Sequence, residues 1–421
     1  MNGTQLPEIV TPVPGPESVA RIDVLARHEC PAITARRARR AEHLGTANDD
    51  PVVWDEAVGS NIRDVDGNRF VDWLSGFGVT LVGHRHPTVV AAAQAQADKL
   101  PHAMGDAWPD QSRIRLLERL AAFAPDPLSV IVLGLSGSDA IDAAVKTARL
   151  ATGRAGVLTF EGGYHGLALG VVGLQSARPQ FTEPFADIVH PHVHRLPLGA
   201  SPHDVEALLQ HGEIGLVLGE PMQGRGGFRE APQGFWAETA AIARRHGALF
   251  AFDEVLTGMG RTGVPFACTD EGVIPDLLCV GKALAGGWPL SACIGTPEAM
   301  AAWGASQGEA IHTQTFLGHP VGCAAALGVF ELFDQGLLDA IQARSRALDD
   351  RFEGLRGRGL MRALALRPGS DALAVSRQLL QEGHLILPAD AESLQITPAV
   401  TLSDAQIDHF AGRLEGLGAL L

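Results

Sequence analysis

Three short apolar runs along the chain each stop at a single charged residue. Gly215-Leu216-Val217-Leu218-Gly219 stops at Glu220, Ala248-Leu249-Phe250-Ala251-Phe252 at Asp253, and Leu277-Leu278-Cys279-Val280-Gly281 at Lys282. Runs this short and continuously apolar read as parallel strands buried on both faces, since a solvated face would impose polar residues at alternate positions. In an open α/β sheet, ligands sit outside the carboxyl ends of the strands, so three neighbouring strands of this kind would aim their terminal charges into one crevice. Val130-Ile131-Val132-Leu133 and Gly156-Val157-Leu158-Thr159-Phe160 are further strand signals, and a helical pattern from Asp139 to Leu150 separates them. Strand and helix signals alternate to about residue 310, as a mostly parallel sheet flanked by helices requires.

The flanks carry a different pattern. Residues 1 to about 17 are polar and Pro-rich and read as an extended arm. A helical pattern runs from Glu17 to about Leu44, with Pro31 set to break or kink it. Val52-Val53-Trp54, Ala57-Val58-Gly59 and Ile62 to Asp72 read as short strands, with Asp66-Gly67 as a hairpin turn. His84 and His86 in Gly83-His84-Arg85-His86-Pro87 could be read as a metal pair, but a turn entering a helix from Thr88 is the preferred reading. An Ala-rich helix covers Val321 to about Asp334. Strand signals at Ala363–Leu366, Leu385–Leu387 and Leu394–Ile396 and a helix from Ser403 to Leu421 complete the chain. There are no internal repeats.

Candidate chemistry lies at the strand ends. Lys282, flanked by Gly281 and by Ala283-Leu284-Ala285-Gly286-Gly287, is sterically open and partly desolvated, which is how a Schiff-base amine is made reactive. Asp253 is suited to keep a pyridine nitrogen protonated, the usual protein contribution beside pyridoxal phosphate (PLP). Ser136-Gly137-Ser138 lies between a strand and a helix, where free backbone N–H groups can take a phosphate. Tyr164, the single tyrosine, ends a strand among glycines and can stack on a flat ring. Each has a plainer reading: a solvated strand-end lysine, a turn that only caps its helix, an ordinary loop aromatic.

The longer motifs favour the chemical readings. Asp253-Glu254-Val255, Thr257-Gly258, Gly260-Arg261-Thr262-Gly263, Pro275-Asp276 and Gly281-Lys282 through Pro289-Leu290-Ser291-Ala292 together resemble the signature of class III (subgroup II, fold type I) PLP-dependent aminotransferases. Ser136-Gly137-Ser138-Asp139-Ala140, Tyr164-His165-Gly166, Glu220-Pro221-Met222-Gln223-Gly224-Arg225-Gly226-Gly227, His312 to Pro320 and Arg356 to Met361 match further family motifs. The resemblance covers the chain from about residue 50 to its end. It implies a large PLP-binding domain with a seven-stranded, mostly parallel sheet over residues 73–318. A small α+β domain would come from residues 319–421 with the amino-terminal segment, 1–72. Lys282 would carry PLP, Asp253 its ring nitrogen, and Ser136, Gly137 and Ser138 its phosphate. Tyr164 and Val255 would cover the two ring faces, with His165 beside them, and Glu220 would face the substrate. Thr315 would reach the phosphate of a neighbouring subunit, which implies a homodimer with shared sites.

The chain departs from the family at four places. Asp139 replaces Glu, His319 replaces Asn, and Leu256 stands where many members have Gln. Gln395 stands where many have the arginine that holds a substrate carboxylate and pairs with the Glu220 position. A neutral amide cannot make that bidentate, charge-assisted contact. Either Arg225 or Arg229 supplies it, or the substrate differs from the glutamate/2-oxoglutarate pair.

Composition narrows the function classes. The chain has 421 residues, 46% of them hydrophobic, and a net charge of −15. That acidity argues against a nucleic-acid partner; the basic cluster Arg36-Arg37-Ala38-Arg39-Arg40 reads as a solvated or subunit-contacting face. No apolar run approaches a membrane span, and the amino terminus lacks a signal-peptide pattern. Five cysteines without CxxC spacing point to free thiols in a reducing compartment and to no zinc site. The expectation is a cytoplasmic aminotransferase taking an amine, ω-amino acid or amino acid as donor and a keto acid or aldehyde as acceptor. The alternative is a racemase or aminomutase of the same family. A nucleotide-binding oxidoreductase would rest on Gly258-Met259-Gly260-Arg261-Thr262-Gly263 alone, which neither follows a strand directly nor opens a helix. A PLP-sensing regulator would carry an added DNA-binding domain.

Overall fold

The computed structural model describes residues 1–32, 38–39, 42, 52–305 and 307–420. Arg36, Arg37 and Arg40 of the basic cluster, and the end of the expected helix at residues 43–44, lie outside them. The chain divides into two compact units: residues 87–342 with 357–359, and residues 1–86 with 343–356 and 360–421.

The larger unit is built on seven strands: β1 (Val130–Gly134), β2 (Gly156–Phe160), β3 (Val193–Leu196), β4 (Ile214–Gly219), β5 (Leu249–Glu254), β6 (Leu277–Val280) and β7 (Ser291–Gly295). Their order in the sheet is β1-β7-β6-β5-β4-β2-β3. β4, β5 and β6 are adjacent and parallel, with Phe252 opposite Gly219 and Asp253 opposite Cys279. β7 alone runs the other way, antiparallel to both β6 and β1. The sheet is therefore mostly parallel, and the wholly buried β2, β4, β6 and β7 explain the continuous apolar runs in the sequence.

Helices α1 (Pro87–Lys99), α2 (Gln111–Phe123), α3 (Gly137–Thr152), α4 (Pro202–Leu209), α5 (Phe235–Arg245) and α6 (Pro320–Asp334) flank this sheet. The Ser136 side chain caps α3, accepting from Asp139 N, and Gly153 closes it in a left-handed conformation at φ 71°. The face of α3 bearing Ala140, Ile141, Ala144 and Ala148 packs on Leu216, Leu218, Ala251, Leu277 and Cys279. Small residues let the helix lie close, and Ile141 is fully buried; truncating it to Ala would cost about 2–5 kcal/mol. That packing fixes the amino end of α3 at one edge of the sheet.

In the smaller unit the amino-terminal arm is held by one antiparallel backbone bridge, Glu8 to Arg69, and by side chains. Asn61 Oδ1 accepts from Gln5 N, and Asn68 Oδ1 accepts from Val10 N and Thr11 N. Strands Trp54–Val58, Asn61–Asp64 and Arg69–Asp72 form antiparallel pairs, and Gly67 turns the hairpin at φ 90°. The first helix spans Pro16–His28, and helical backbone resumes at Pro31–Ala32 and at the described residues 38, 39 and 42, so the expected run is interrupted just before Pro31. It stops at an extended Glu29, two residues before Pro31, which disfavours helical backbone in its neighbour and offers no N–H. His84 Nε2 lies 2.8 Å from Asp72 Oδ2, and a helix begins at Pro87. Helix Asp404–Gly416 opens with a capping box between Ser403 and Gln406.

Cys268, Cys279, Cys293 and Cys323 are buried, Cys30 is exposed, and all five are free thiols. Among the described residues no single helix is long and apolar enough to cross a membrane.

A chain of rings lies inside the smaller unit. Trp73 Nε1 donates to His384 Nδ1 at 3.1 Å, and His384 Nε2 lies 3.0 Å from His409 Nδ1. Indole only donates, so His384 must carry its proton on Nε2 and pass that hydrogen bond to His409. Burial, with the charges of His409 and Arg413, pushes His384 down to about 3 from the usual 6.5. The unfolded chain takes this proton first, so the stability it contributes is complete above pH 6.5 and is lost as pH falls toward 3. Between pH 6 and 4 the unfolding free energy of the wild type should fall about 1.4 kcal/mol per pH unit more steeply than that of H384Q. Urea titrations of both proteins at matched concentration measure the two slopes; equal slopes would contradict the assignment.

Candidate active site

The parallel pairing brings the three strand-end charges together. Gly219 sits opposite Phe252, so Glu220 emerges beside Asp253, and Asp253 sits opposite Cys279, three residues before Lys282. β1 and β2 run in the same direction as these strands, so the segments after them, Leu135–Ser138 and Glu161–Gly166, leave the sheet at the same edge. Ser136, Gly137, Ser138, Tyr164, His165, Glu220, Asp253, Val255 and Lys282 thus share one end of one sheet.

The charges are wired to one another. His165 Nδ1 lies 2.8 Å from Asp253 Oδ2, and both groups are buried. Burial alone would lower the His165 ring, but the bond and charge of Asp253, helped by Glu220, raise it, so the ring favours its charged form. Asp253 Oδ1 accepts from Val255 N at 3.1 Å. Glu220 accepts from Tyr164 N at 2.9 Å and from Gly224 N at 3.1 Å. Burial and the Asp253 charge push Glu220 up to about 7 against these contacts and the His165 charge.

Lys282 follows the extended Gly281 at the first position of a short 3₁₀ turn, Lys282–Ala285. Its φ of 35° is unusual for a residue with a side chain, a conformation that surrounding structure must impose. Desolvation lowers its amine below the ordinary lysine range; Asp253 and Glu220 oppose this, and Arg225 and Arg261 reinforce it. The other lysines of the chain are Lys99 and Lys146. Lys99 is exposed at the end of α1, and Lys146 pairs with Asp142 at 3.0 Å.

Opposite the lysine, the turn Ser136–Ser138 opens α3, and its first N–H groups have no acceptor within the helix. The packing here depends on glycine. A Cβ added to Gly137 would sit 2.9 Å from Val255 Cγ1, and one on Gly281 3.3 Å from the same atom. A Cβ on Gly166, itself at φ 106°, would sit 2.0 Å from Ser138 Oγ. Tyr164 is half-buried, its ring 5.1 Å from the Arg225 guanidinium carbon and 6.1 Å from the Phe181 ring. Thr315 is exposed, one residue beyond Gln314, whose amide donates to Asp139.

Several residues here escaped the sequence reading. Glu254, fully buried, accepts from Ala267 N and Cys268 N at 2.7 Å each and from Thr257 Oγ1 at 3.1 Å. Burial raises it to about 7. Two of those partners lie thirteen and fourteen residues downstream, beyond any local spacing rule. The buried Ser291 hydroxyl has no hydrogen-bond partner among the described residues and lies 2.7 Å from where a Cβ on Gly134 would stand. Residues Gly258 to Gly263 form turns and a bend and do not open a helix; the next element is the 3₁₀ turn Ala267–Thr269, unlike a dinucleotide-binding loop.

This edge fits the cofactor that the motifs imply. A desolvated amine, a carboxylate fixed by a buried imidazole, a helix start with free N–H groups and an orphaned hydroxyl stand at one strand edge. Together they suit an anionic, aldehyde-bearing aromatic ring.

Comparison with known proteins agrees. The model of the family "Aminotransferase class-III" matches residues 45–417. An acetylornithine aminotransferase of Methanopyrus kandleri is 34% identical over 342 residues, 79% of this chain and 85% of the relative. A 5-aminovalerate aminotransferase of Pseudomonas aeruginosa is 31% identical over 412 residues, 89% of this chain and 95% of the relative. Among solved structures, an amine transaminase from an uncultivated Pseudomonas species in its PLP-bound form superposes with a TM-score of 0.77 at 27% identity. It covers 87% of this chain and 94% of its own. The chain belongs to the class III aminotransferases, and it is a PLP-dependent transaminase of fold type I.

Proposed function

We propose that the edge formed by β1, β2, β4, β5 and β6 is the transamination site and that Lys282 is the residue joined to PLP. The observation that carries this reading is the parallel register of three neighbouring strands, which brings the ends bearing Glu220, Asp253 and Lys282 to one side of the sheet. Ser136 and the N–H groups of Gly137 and Ser138 hold the phosphate. Tyr164 and Val255 lie against the ring faces, and Asp253 balances the positive charge on the ring nitrogen.

When bound, PLP supplies an electron sink for the carbon that bears the amino group. Lys282, whose amine burial makes less basic than an ordinary lysine, is the group suited to take the proton from the donor carbon and return it. His165, 2.8 Å from Asp253 Oδ2, keeps the carboxylate oriented. Glu220, pushed up to about 7, meets the incoming amine as a weakly charged acceptor.

The donor carries its amino group away from a carboxylate, or has no carboxylate at all. The name of the 5-aminovalerate relative, that of the amine transaminase and the neutral Gln395 support this. Arg225 receives the carboxylate of the keto-acid acceptor, since its guanidinium rests on the Tyr164 ring and its charge is felt at Lys282. The protein works as a cytoplasmic homodimer in which Thr315 serves the partner's phosphate. The exposure of Thr315 and the free buried thiols support that reading.

Single-turnover mixing tests the function. The PLP-loaded protein is given one donor at a time, among them 5-aminovalerate, 1-phenylethylamine, alanine and glutamate, without acceptor. Loss of the lysine-bound cofactor's absorbance with release of an oxo product is expected for 5-aminovalerate or the arylamine. Persistence of the band, while an amino acid exchanges its α-hydrogen and inverts, would contradict transamination and establish a racemase.

R225Q should raise KM for pyruvate or 2-oxoglutarate by about 10–100-fold, the value of a charge-assisted hydrogen bond, while R229Q changes it less than threefold. Initial-rate kinetics with a fixed amine donor decides; equal KM values in R225Q and wild type would remove Arg225 from the acceptor site.

A further inference from the structure

A second charged cluster lies beside the phosphate turn, where a loop meets the first two turns of α3. The His312 side chain, nearly buried, stands between two carboxylates of α3: Nε2 is 3.4 Å from Asp139 Oδ1 and Nδ1 is 3.5 Å from Asp142 Oδ2. Lys146 Nζ lies 3.0 Å from Asp142 Oδ2 and 3.1 Å from His312 Nδ1. The Trp303 ring packs edge-on at 6.1 Å and is itself fixed by a 2.9 Å bond from its Nε1 to Thr147 Oγ1. Asp139 is the hub: its Oδ2 accepts from Leu135 N at 2.9 Å, at the start of the phosphate turn, and from the Gln314 amide. One carboxylate therefore ties the turn after β1 to the loop that ends in Thr315.

We propose that His312 is a positioning residue whose charge clamps the loop Ile311–Phe316 onto α3 through Asp139 and Asp142. The clamp fixes the turn Ser136–Ser138 and Thr315 relative to each other and slows release of PLP. This rests on the assignment of that turn to the phosphate. Ile311, Thr313, Thr315 and Phe316 are all exposed; besides the His312 and Gln314 contacts the loop is tied by Thr313 Oγ1 donating to Asp106 Oδ2 at 3.1 Å and by the Phe316 ring 5.3 Å from that of His102. Asp139 and Asp142 raise His312 to about 9, against burial and the Lys146 charge. A raised value gives the sign: the clamp is complete below about pH 6.5 and is lost as pH climbs to about 9.

The test follows PLP release after dilution, by filtration and absorbance, for wild type, H312Q, H312K and D139N between pH 6.5 and 9.5. In the wild type, release is expected to accelerate across this range. H312Q should release PLP about tenfold faster at pH 6.5, with no such acceleration, because its amide donates without charge. H312K, charged throughout the range, should stay slow and flat, and D139N should lose the pH dependence. Melting curves of the PLP-free forms accompany the series, and H312K carries the test if H312Q does not fold. Release from H312Q with the wild-type rate and profile would overturn the clamp, as would an H312K profile that still rises between pH 6.5 and 9. A wild type that retains no PLP at any pH would overturn the cofactor reading itself, and the clamp with it.

Discussion

The contact between His165 and Asp253 is the constraint on which the site depends. Two groups with little access to water lie 2.8 Å apart at the end of β5, and neither would tolerate its charge there alone. Together they hold an oriented carboxylate inside an otherwise apolar sheet end. Its field is felt by Glu220 and Lys282 in the same crevice: it pushes Glu220 further up and partly offsets the desolvation of Lys282. The protein thereby places an amine of reduced basicity and a carboxyl near neutrality in one crevice. Proton traffic near pH 7 requires groups poised in this way.

That arrangement follows from the packing below it. α3 lies close on the sheet because its inner face is mostly alanine, and this closeness carries its first turn to the crevice. Gly137, Gly166 and Gly281 then bring backbone to within contact of Val255 and Ser138, where a methyl group would collide. Sheet, helix and glycine turns therefore converge on one edge without a long loop to position them.

Much of this was legible in the chain. Apolar runs ending in Glu220, Asp253 and Lys282 announced parallel strands, because burial on both faces leaves no polar alternation to misread. The Ser136-Gly137-Ser138 turn before a helical pattern pointed to a capped helix start, two residues earlier than the pattern placed it, and Pro31 marked a break in the first helix. Other features were not legible. The backbone donors from Ala267 and Cys268 to Glu254 and the approach of His312 to Asp139 join residues far apart in sequence, and no periodicity encodes such pairs. Asp139 was visible only as a departure from a family pattern, whereas the structure makes it the junction between a turn and a loop. Glu220 accepts from two backbone N–H groups, contacts that side-chain identities alone do not reveal.

The central claim is that Lys282, and neither of the other two lysines, forms the bond to PLP. The direct measurement is borohydride reduction of the PLP-loaded protein, followed by proteolysis and mass spectrometry of the lysine-containing peptides. With only Lys99, Lys146 and Lys282 available, the result is unambiguous. The structure predicts a reduced pyridoxyl adduct on the peptide containing Lys282 alone. An adduct at Lys99 or Lys146 with Lys282 unmodified would contradict the account.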